Sequence, residues 1–304
     1  MRGSQWSLIV FTVLIQLTVG LYLFSGLIHY LLRDPMNDVW FNLFFRAAIL
    51  LVMAGLVIGL LVSLLHLGSP KNAPRALQNL GSSWLSAEVF FMLFFGLTAG
   101  SFTVLLWMGG EMTLPGKVQY YLGCCVGLTL IYCMANVYRL ATVPSWKTPF
   151  TRFSFFKTTI LLGILAAGGL LWISLMISLE RIEISIAMRS FNRNYLWIVL
   201  SATFLLGLDY LVVFFRLMTV KGDPANSRKG FSRAVTLHRN SYTLRFILGV
   251  MSLILFSLPL VWNPFTLDYR SLKIVLMLLS FSLILISELI DRKIFYASFD
   301  RAGL

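Results

Sequence analysis

Apolar residues run along this chain in eight long blocks, at about 8–32, 43–67, 85–108, 119–141, 155–179, 194–220, 243–262 and 272–296. A helix needs roughly 20 such residues to cross the hydrocarbon core of a bilayer. The blocks are continuously apolar, without the period-two alternation of barrel strands, so they predict helices. The first block exceeds the roughly 7–15-residue apolar core of a secretory leader, and seven similar blocks follow it. The pattern therefore predicts an all-α polytopic membrane protein, a bundle of eight transmembrane helices forming one domain over residues 1–304. All tryptophans except Trp172 fall at or just outside block ends, where amphipathic rings settle at a membrane interface.

Composition agrees. Of the 304 residues, 58% are hydrophobic and 12% charged, with a mean hydropathy of +0.83. Soluble domains carry roughly 25% charged residues. A soluble enzyme, a disordered chain and a nucleic-acid binder are thereby excluded. The net charge of +13 is scattered between apolar runs and not gathered into a nucleic-acid footprint. The three cysteines, Cys124, Cys125 and Cys133, share one apolar block and make neither a disulfide framework nor a zinc spacing.

Eight spans put both termini on one face, here side A, together with the loops after spans two, four and six. Roughly two thirds of the 25 Lys and Arg residues lie there, which by the positive-inside rule makes side A cytoplasmic. The loop after span six is richest, with Lys221, Arg228, Lys229, Arg233 and Arg239. Small residues four apart, Gly55/Gly59, Gly96/Gly100 and Gly123/Gly127, predict close helix contacts on spans two, three and four.

Ionisable groups inside spans are functional candidates, because a charge near the bilayer centre costs at least ~2.5–3.5 kcal/mol. Glu88 opens span three, Asp209 lies in span six, Glu288 in span eight, and His66 closes span two, all in the half nearer side A. Asp209 has Arg216 seven residues on, so an ion pair along one helix weighs equally with function. Glu288 precedes Asp291, Arg292 and Lys293 and reads equally as a helix-end anchor. His29, beside Tyr30 and Arg33 on the other side, reads as interfacial; the Cys124–Cys125 pair reads as packing. Haem b needs histidines facing each other at similar depth, and His29 and His66 lie at opposite faces. No covalent-haem motif, cysteine cluster or nucleotide loop is present either. The chain is therefore expected to carry no haem, iron–sulfur cluster or molybdopterin of its own.

The segment from His66 to Glu88 joins spans two and three on side A. Ser69, Pro70 and Asn72 suit a helix start, and Ala76, Leu77 and Leu80 give a short amphipathic stretch near 72–80, expected to lie on the interface. An imidazole and a carboxylate are thus held at similar depth, a modest signal for proton handling. A secondary transporter coupled through Asp209 and Glu288 is a competing class. It is disfavoured by the lack of paired Gly/Pro-interrupted spans, Pro259 being the only proline within a span. A purely structural anchor is a third reading.

The run SLLHLGSPKNAPRALQNLGSSWLSAE resembles the anchor subunit of bacterial dimethyl sulfoxide reductase and its relatives. The likeness recurs at IVFTVLIQLTVG in span one, NVYRLATVPSW after span four and ELIDRKIFY closing span eight. The resemblance implies a multi-pass subunit of the bacterial inner membrane with eight helices and no haem. Such a subunit holds a molybdopterin catalytic subunit and an iron–sulfur subunit, and passes electrons from menaquinol to the latter. His66 and Glu88 match family positions implicated in quinol binding. Glu88 is then expected to accept a proton and His66 to ligate the head group, with Arg75 orienting the loop or lipid phosphates. The basic loop over 221–242 is expected to dock the iron–sulfur subunit. Family anchors carry their termini outside, whereas the charges here favour inside. Either orientation requires that reporter fusions at the two termini read the same face; opposite faces would refute the eight-span topology.

Overall fold

The structure is a computed structural model that describes residues 2–32, 38–64, 77, 79–110, 113–139, 143, 146–178, 184–220, 239–261 and 270–298. Those residues form eight long helices: α1 (Arg2–Leu32), α2 (Asp38–Leu64), α3 (Trp84–Trp107), α4 (Leu114–Val137), α5 (Pro149–Ser178), α6 (Ile184–Val220), α7 (Arg239–Val261) and α8 (Arg270–Ala297). Each contains a stretch long and apolar enough to cross a membrane. Helices satisfy their own backbone groups, which hydrocarbon requires.

Several helices start earlier than their apolar blocks, and the reason is local. Thr113 caps α4 by accepting a hydrogen bond from the Gly116 amide at 3.3 Å, with Pro115 in the first turn. Pro149 opens α5, where its missing N–H is no loss, and Thr151 Oγ1 donates back to the Trp146 carbonyl at 2.7 Å. Ser83 caps α3 through the Ser86 amide, five residues ahead of Glu88. At the other end of α3, Gly109 takes φ +73°, a left-handed conformation that glycine adopts without a Cβ clash. The Gly110 amide then donates to the Leu105 carbonyl at 2.8 Å and reverses the chain into α4.

Helix α5 is the hub, packed against α1, α2, α4, α6 and α8. Its run Gly163-Ile-Leu-Ala-Ala-Gly-Gly169 is rich in small residues, so neighbours approach closely. The tightest approach is backbone on backbone: Gly20 of α1 lies against Gly163, and a Cβ on either would collide with the other's main chain. Gly55 and Gly59 of α2 seat against Thr18 and Ile15 of α1, and Gly123 of α4 against Tyr22. The third expected pair behaves differently. Gly96 has nothing within 4 Å of its Cβ position and Gly100 only the Met53 side chain at 3.7 Å, so that pair makes no close crossing. Leu97, Val104 and Phe204 stay largely exposed, as a lipid-facing surface requires.

Trp6, Trp84 and Trp107 are exposed near helix ends, as expected, and Trp197 is exposed near the start of the apolar stretch of α6, well inside that helix. Trp146 is not an interface anchor. It is buried, and its indole N–H is placed to donate to the Phe295 carbonyl at 3.1 Å and the Ser298 hydroxyl at 3.2 Å, pinning the start of α5 to the end of α8. Of the expected interfacial helix, 72–76 and 78 lie outside the described residues; Leu77 and Asn79 are in short 3-10 turns.

The two kinds of glycine make a clean test. Gly163→Ala should destabilise the detergent-solubilised protein by about 1–3 kcal/mol through forced overpacking. Gly96→Ala should be neutral or stabilising by up to about 1 kcal/mol, the ordinary helix preference for alanine. Thermal unfolding of both variants checks it.

Candidate functional site

Glu88 sits on the second turn of α3 and is only 4% exposed. No hydrogen bond or ion pair joins it to another described residue. Its charge bears on Cys133 of α4, on Tyr138 at the end of α4 and on Tyr296 of α8. Behind it stands an aromatic cluster: Tyr138 meets Phe155, Phe295 and Tyr296 at ring distances of 5.6, 6.0 and 5.3 Å, and Trp146 stacks on Phe295 at 5.2 Å. The ends of α4 and α5 are joined beside it. Arg152 donates from Nη2 to Asn136 Oδ1 at 2.8 Å and lies over the Tyr132 ring. A carboxylate in such apolar and aromatic surroundings, with no ion-pair partner among the described residues, is suited to exchanging a proton with a guest. His66 and Arg75 lie outside the described residues, as do residues 221–238 of the basic loop, so only Glu88 of the expected site is placed.

The other intramembrane acids are fully engaged. Lys157 of α5 holds Glu288 at 2.7 Å, Asp291 at 3.5 Å and Asp209 at 3.6 Å. Arg245 of α7 pairs directly with Asp209, with Asp291 at 3.1 Å and with Glu288 at 3.9 Å. Thr158 Oγ1 donates to Glu288 Oε2 at 2.6 Å. Arg292 reaches the same region, its Nη2 donating to Gln16 Oε1 at 3.1 Å and to Thr158 Oγ1 at 3.5 Å. One sequence expectation changes and another falls outside the description. Asp209 takes cations from α5 and α7, while the side chain of Arg216, its expected partner along α6, lies outside the described residues. Glu288, 1% exposed, is the centre of a buried network and not a helix-end anchor. Sequence reasoning missed Lys157 and Arg245, which open their apolar blocks and read there as ordinary side-A charges. Their position two residues inside those blocks was the available signal.

On the opposite side, His29 is fully buried and not interfacial: its ring stacks on Phe45 at 4.0 Å and meets Tyr30 edge-on at 5.4 Å. Cys133 is buried, Cys124 half-buried and Cys125 exposed. Among the described residues, no group of three or more His, Cys, Asp or Glu could hold a metal ion.

Among the spanning acids whose side chains are described, Glu88 alone has no ion-pair partner, while Asp209, Glu288 and Asp291 are neutralised. The protein belongs to the DMSO reductase anchor subunit (DmsC) family, whose profile it matches over residues 1–298. It is 30% identical over 167 residues to the anaerobic dimethyl sulfoxide reductase chain YnfH of Escherichia coli, covering 55% of this protein and 57% of that one. It is 29% identical over 164 residues to the C subunit of the anaerobic dimethyl sulfoxide reductase of Haemophilus influenzae, covering 54% and 57%. The match thus spans a little over half the length of these relatives.

The ion network predicts a strongly non-additive response. Lys157→Met takes from Glu288 its shortest ion pair and leaves Arg245 to pair with all three acids, and should destabilise by about 3–5 kcal/mol. Combining it with Glu288→Met should cost less than the sum of the two single changes, because the second removes the charge that the first left poorly matched. A double-mutant cycle on thermal unfolding in detergent measures this.

Proposed function

We propose that this protein is the bacterial inner-membrane anchor of a multisubunit molybdopterin and iron–sulfur oxidoreductase, and that it oxidises menaquinol at Glu88 and His66 for anaerobic respiration. The observation that carries the reading is Glu88 itself: buried at the side-A edge of a DmsC-family protein, beside aromatic rings, with no partner among the described residues. Oxidising a quinol to a quinone releases two protons and two electrons. The ring hydroxyls need acceptors that pass protons onward, which a carboxylate provides. An imidazole can hydrogen-bond a ring oxygen in either redox state, the role assigned to His66, while Arg75 orients the connecting loop. The electrons leave to the iron–sulfur subunit, which the basic loop over 221–242 docks through charge complementarity, and from there reach the molybdopterin subunit. Placement of both quinol ligands near side A keeps that path short.

A transporter using Asp209 and Glu288 is the less favoured reading. Their carboxylates are already neutralised by Lys157 and Arg245, leaving no vacancy for a coupling ion.

In the intact complex, Glu88→Gln should retain co-purifying partner subunits and reduction by an artificial donor, which bypasses the membrane. Quinol-linked turnover should fall at least about 100-fold, within the range for general acid–base groups. His66→Ala should lose the same activity. Normal quinol-linked turnover in both variants would overturn the assignment.

A further inference from the structure

Two arginines at the side-A end of the bundle share one neutral acceptor. Arg139 lies just past the end of α4, and Arg152 lies in the first turn of α5. Arg139 Nη1 donates to Asn136 Oδ1 at 3.3 Å, and Arg152 donates to the same oxygen from Nε at 3.2 Å and Nη2 at 2.8 Å. The acceptor is fixed, because Asn136 is buried and donates its own Nδ2 to the Tyr132 carbonyl at 2.7 Å. Two positive charges thus converge on an uncharged oxygen, and among the described residues neither arginine has an ion pair. Lys157 and Arg245, the cations inside the bundle, each meet carboxylates instead. The two guanidiniums also keep donors in hand. Nη2 of Arg139 and Nη1 of Arg152 have no hydrogen-bond partner among the described residues and are not enclosed.

The surroundings identify what completes this pair. Arg152 lies over Tyr132, 5.0 Å from the ring centroid, and Tyr132 meets Trp84 of α3 edge-on at 5.8 Å. Both rings are exposed, Tyr132 by 38% and Trp84 by 48%, and one turn deeper along α4 Leu128 is exposed as well. The surface therefore passes from cations through amphipathic rings to an apolar side chain, the order of a bilayer from headgroup to hydrocarbon. We propose that Arg139 and Arg152 clamp the phosphate of an anionic phospholipid at the side-A interface. Its glycerol lies against Tyr132 and Trp84, and an acyl chain descends along α4 past Leu128. The phosphodiester supplies the negative charge that Asn136 lacks, and its oxygens suit the planar N–H fork of arginine. A headgroup without an amine fits best, because an ammonium of its own would restore the repulsion. Basic sites between transmembrane helices recognise anionic lipids on this basis. Bound here, the lipid fastens the end of α4 to the start of the hub helix α5. The inference is independent of the quinol reading.

The test titrates the full-length protein in detergent with phosphatidylglycerol or phosphatidylcholine, following bound lipid by native mass spectrometry and stability by thermal unfolding. Phosphatidylglycerol should fill a saturable site and raise the unfolding temperature, and phosphatidylcholine should bind at least about tenfold more weakly. Arg139→Gln and Arg152→Gln should each weaken phosphatidylglycerol about tenfold, the scale of losing one charged hydrogen bond. Arg152→Lys should fall between, since the charge stays and the fork is lost. Lys117→Gln, at an exposed position near the far end of α4, should change nothing; an equal loss there would mean diffuse attraction and overturn the site. Asn136→Asp keeps the test decisive if the arginine variants do not fold. Its carboxylate neutralises both arginines from within, so the protein should stay folded without lipid and lose its response to phosphatidylglycerol. A wild-type response in Asn136→Asp, or in folded Arg139→Gln and Arg152→Gln, overturns the proposal. So does inorganic phosphate that protects the wild-type protein as well as the lipid does, which would make this a free-anion site. In the intact complex, Arg152→Gln should retain the partner subunits. Loss of those subunits with lipid binding unchanged would assign the arginines to a protein interface and overturn the lipid site.

Discussion

Charges enclosed by a membrane bundle must neutralise one another, and this protein meets that demand with helices far apart in sequence. Lys157 of α5 and Arg245 of α7 pair with Asp209 of α6 and with Glu288 and Asp291 of α8. Breaking the set leaves a charge with neither water nor partner, so each of the four helices constrains the rotation and depth of the others. In lipid there is no hydrophobic drive between helices. A polar network of this kind therefore determines register, while the small-residue faces of α1, α2, α4 and α5 determine closeness.

Against that balance Glu88 is the exception, and the contrast is what makes it informative. An acid that is structurally required is matched, as Glu288 is by Lys157 and Thr158. An acid left unmatched in an otherwise matched bundle is destabilising, and its retention fits a group that works. The same logic extends to the unspent N–H groups of Arg292. Orphaned buried donors cost about 1–3 kcal/mol each, and Nε and Nη1 of Arg292 are two of them.

Much of the fold was legible from apolar block length, because a hydrocarbon slab imposes one dimension on every span. Boundaries were less so: α4 and α5 begin several residues early because Thr113, Pro115 and Pro149 are capping and first-turn signals that hydropathy does not register. Glycine spacing identified Gly55, Gly59, Gly123 and Gly127 as contact positions but included Gly96 and missed Gly20 and Gly163. The backbone-on-backbone crossing has a glycine on each partner, and pairing between helices cannot be read along a single helix. The same limit hid the partners of Asp209, since Arg245 follows it by 36 residues. Glu88 was legible as an ionisable residue just inside an apolar block. Arg292 was noticed only as a neighbour of Glu288, because its burial and its unspent N–H groups are properties of packing.

The contact between Gly20 and Gly163 also bears on how the protein is assembled. Helix α1 is made before α5, but the surface it fits most closely belongs to that later helix. Until α5 emerges, the small-residue face of α1 can be covered only by lipid or by earlier, looser neighbours, and the bundle cannot close. Biogenesis of this protein is therefore a waiting problem: α1 stays provisional until four further helices have entered the membrane. A nascent polypeptide halted before Gly163 can insert its early spans, yet it lacks the contact that would finish its first helix.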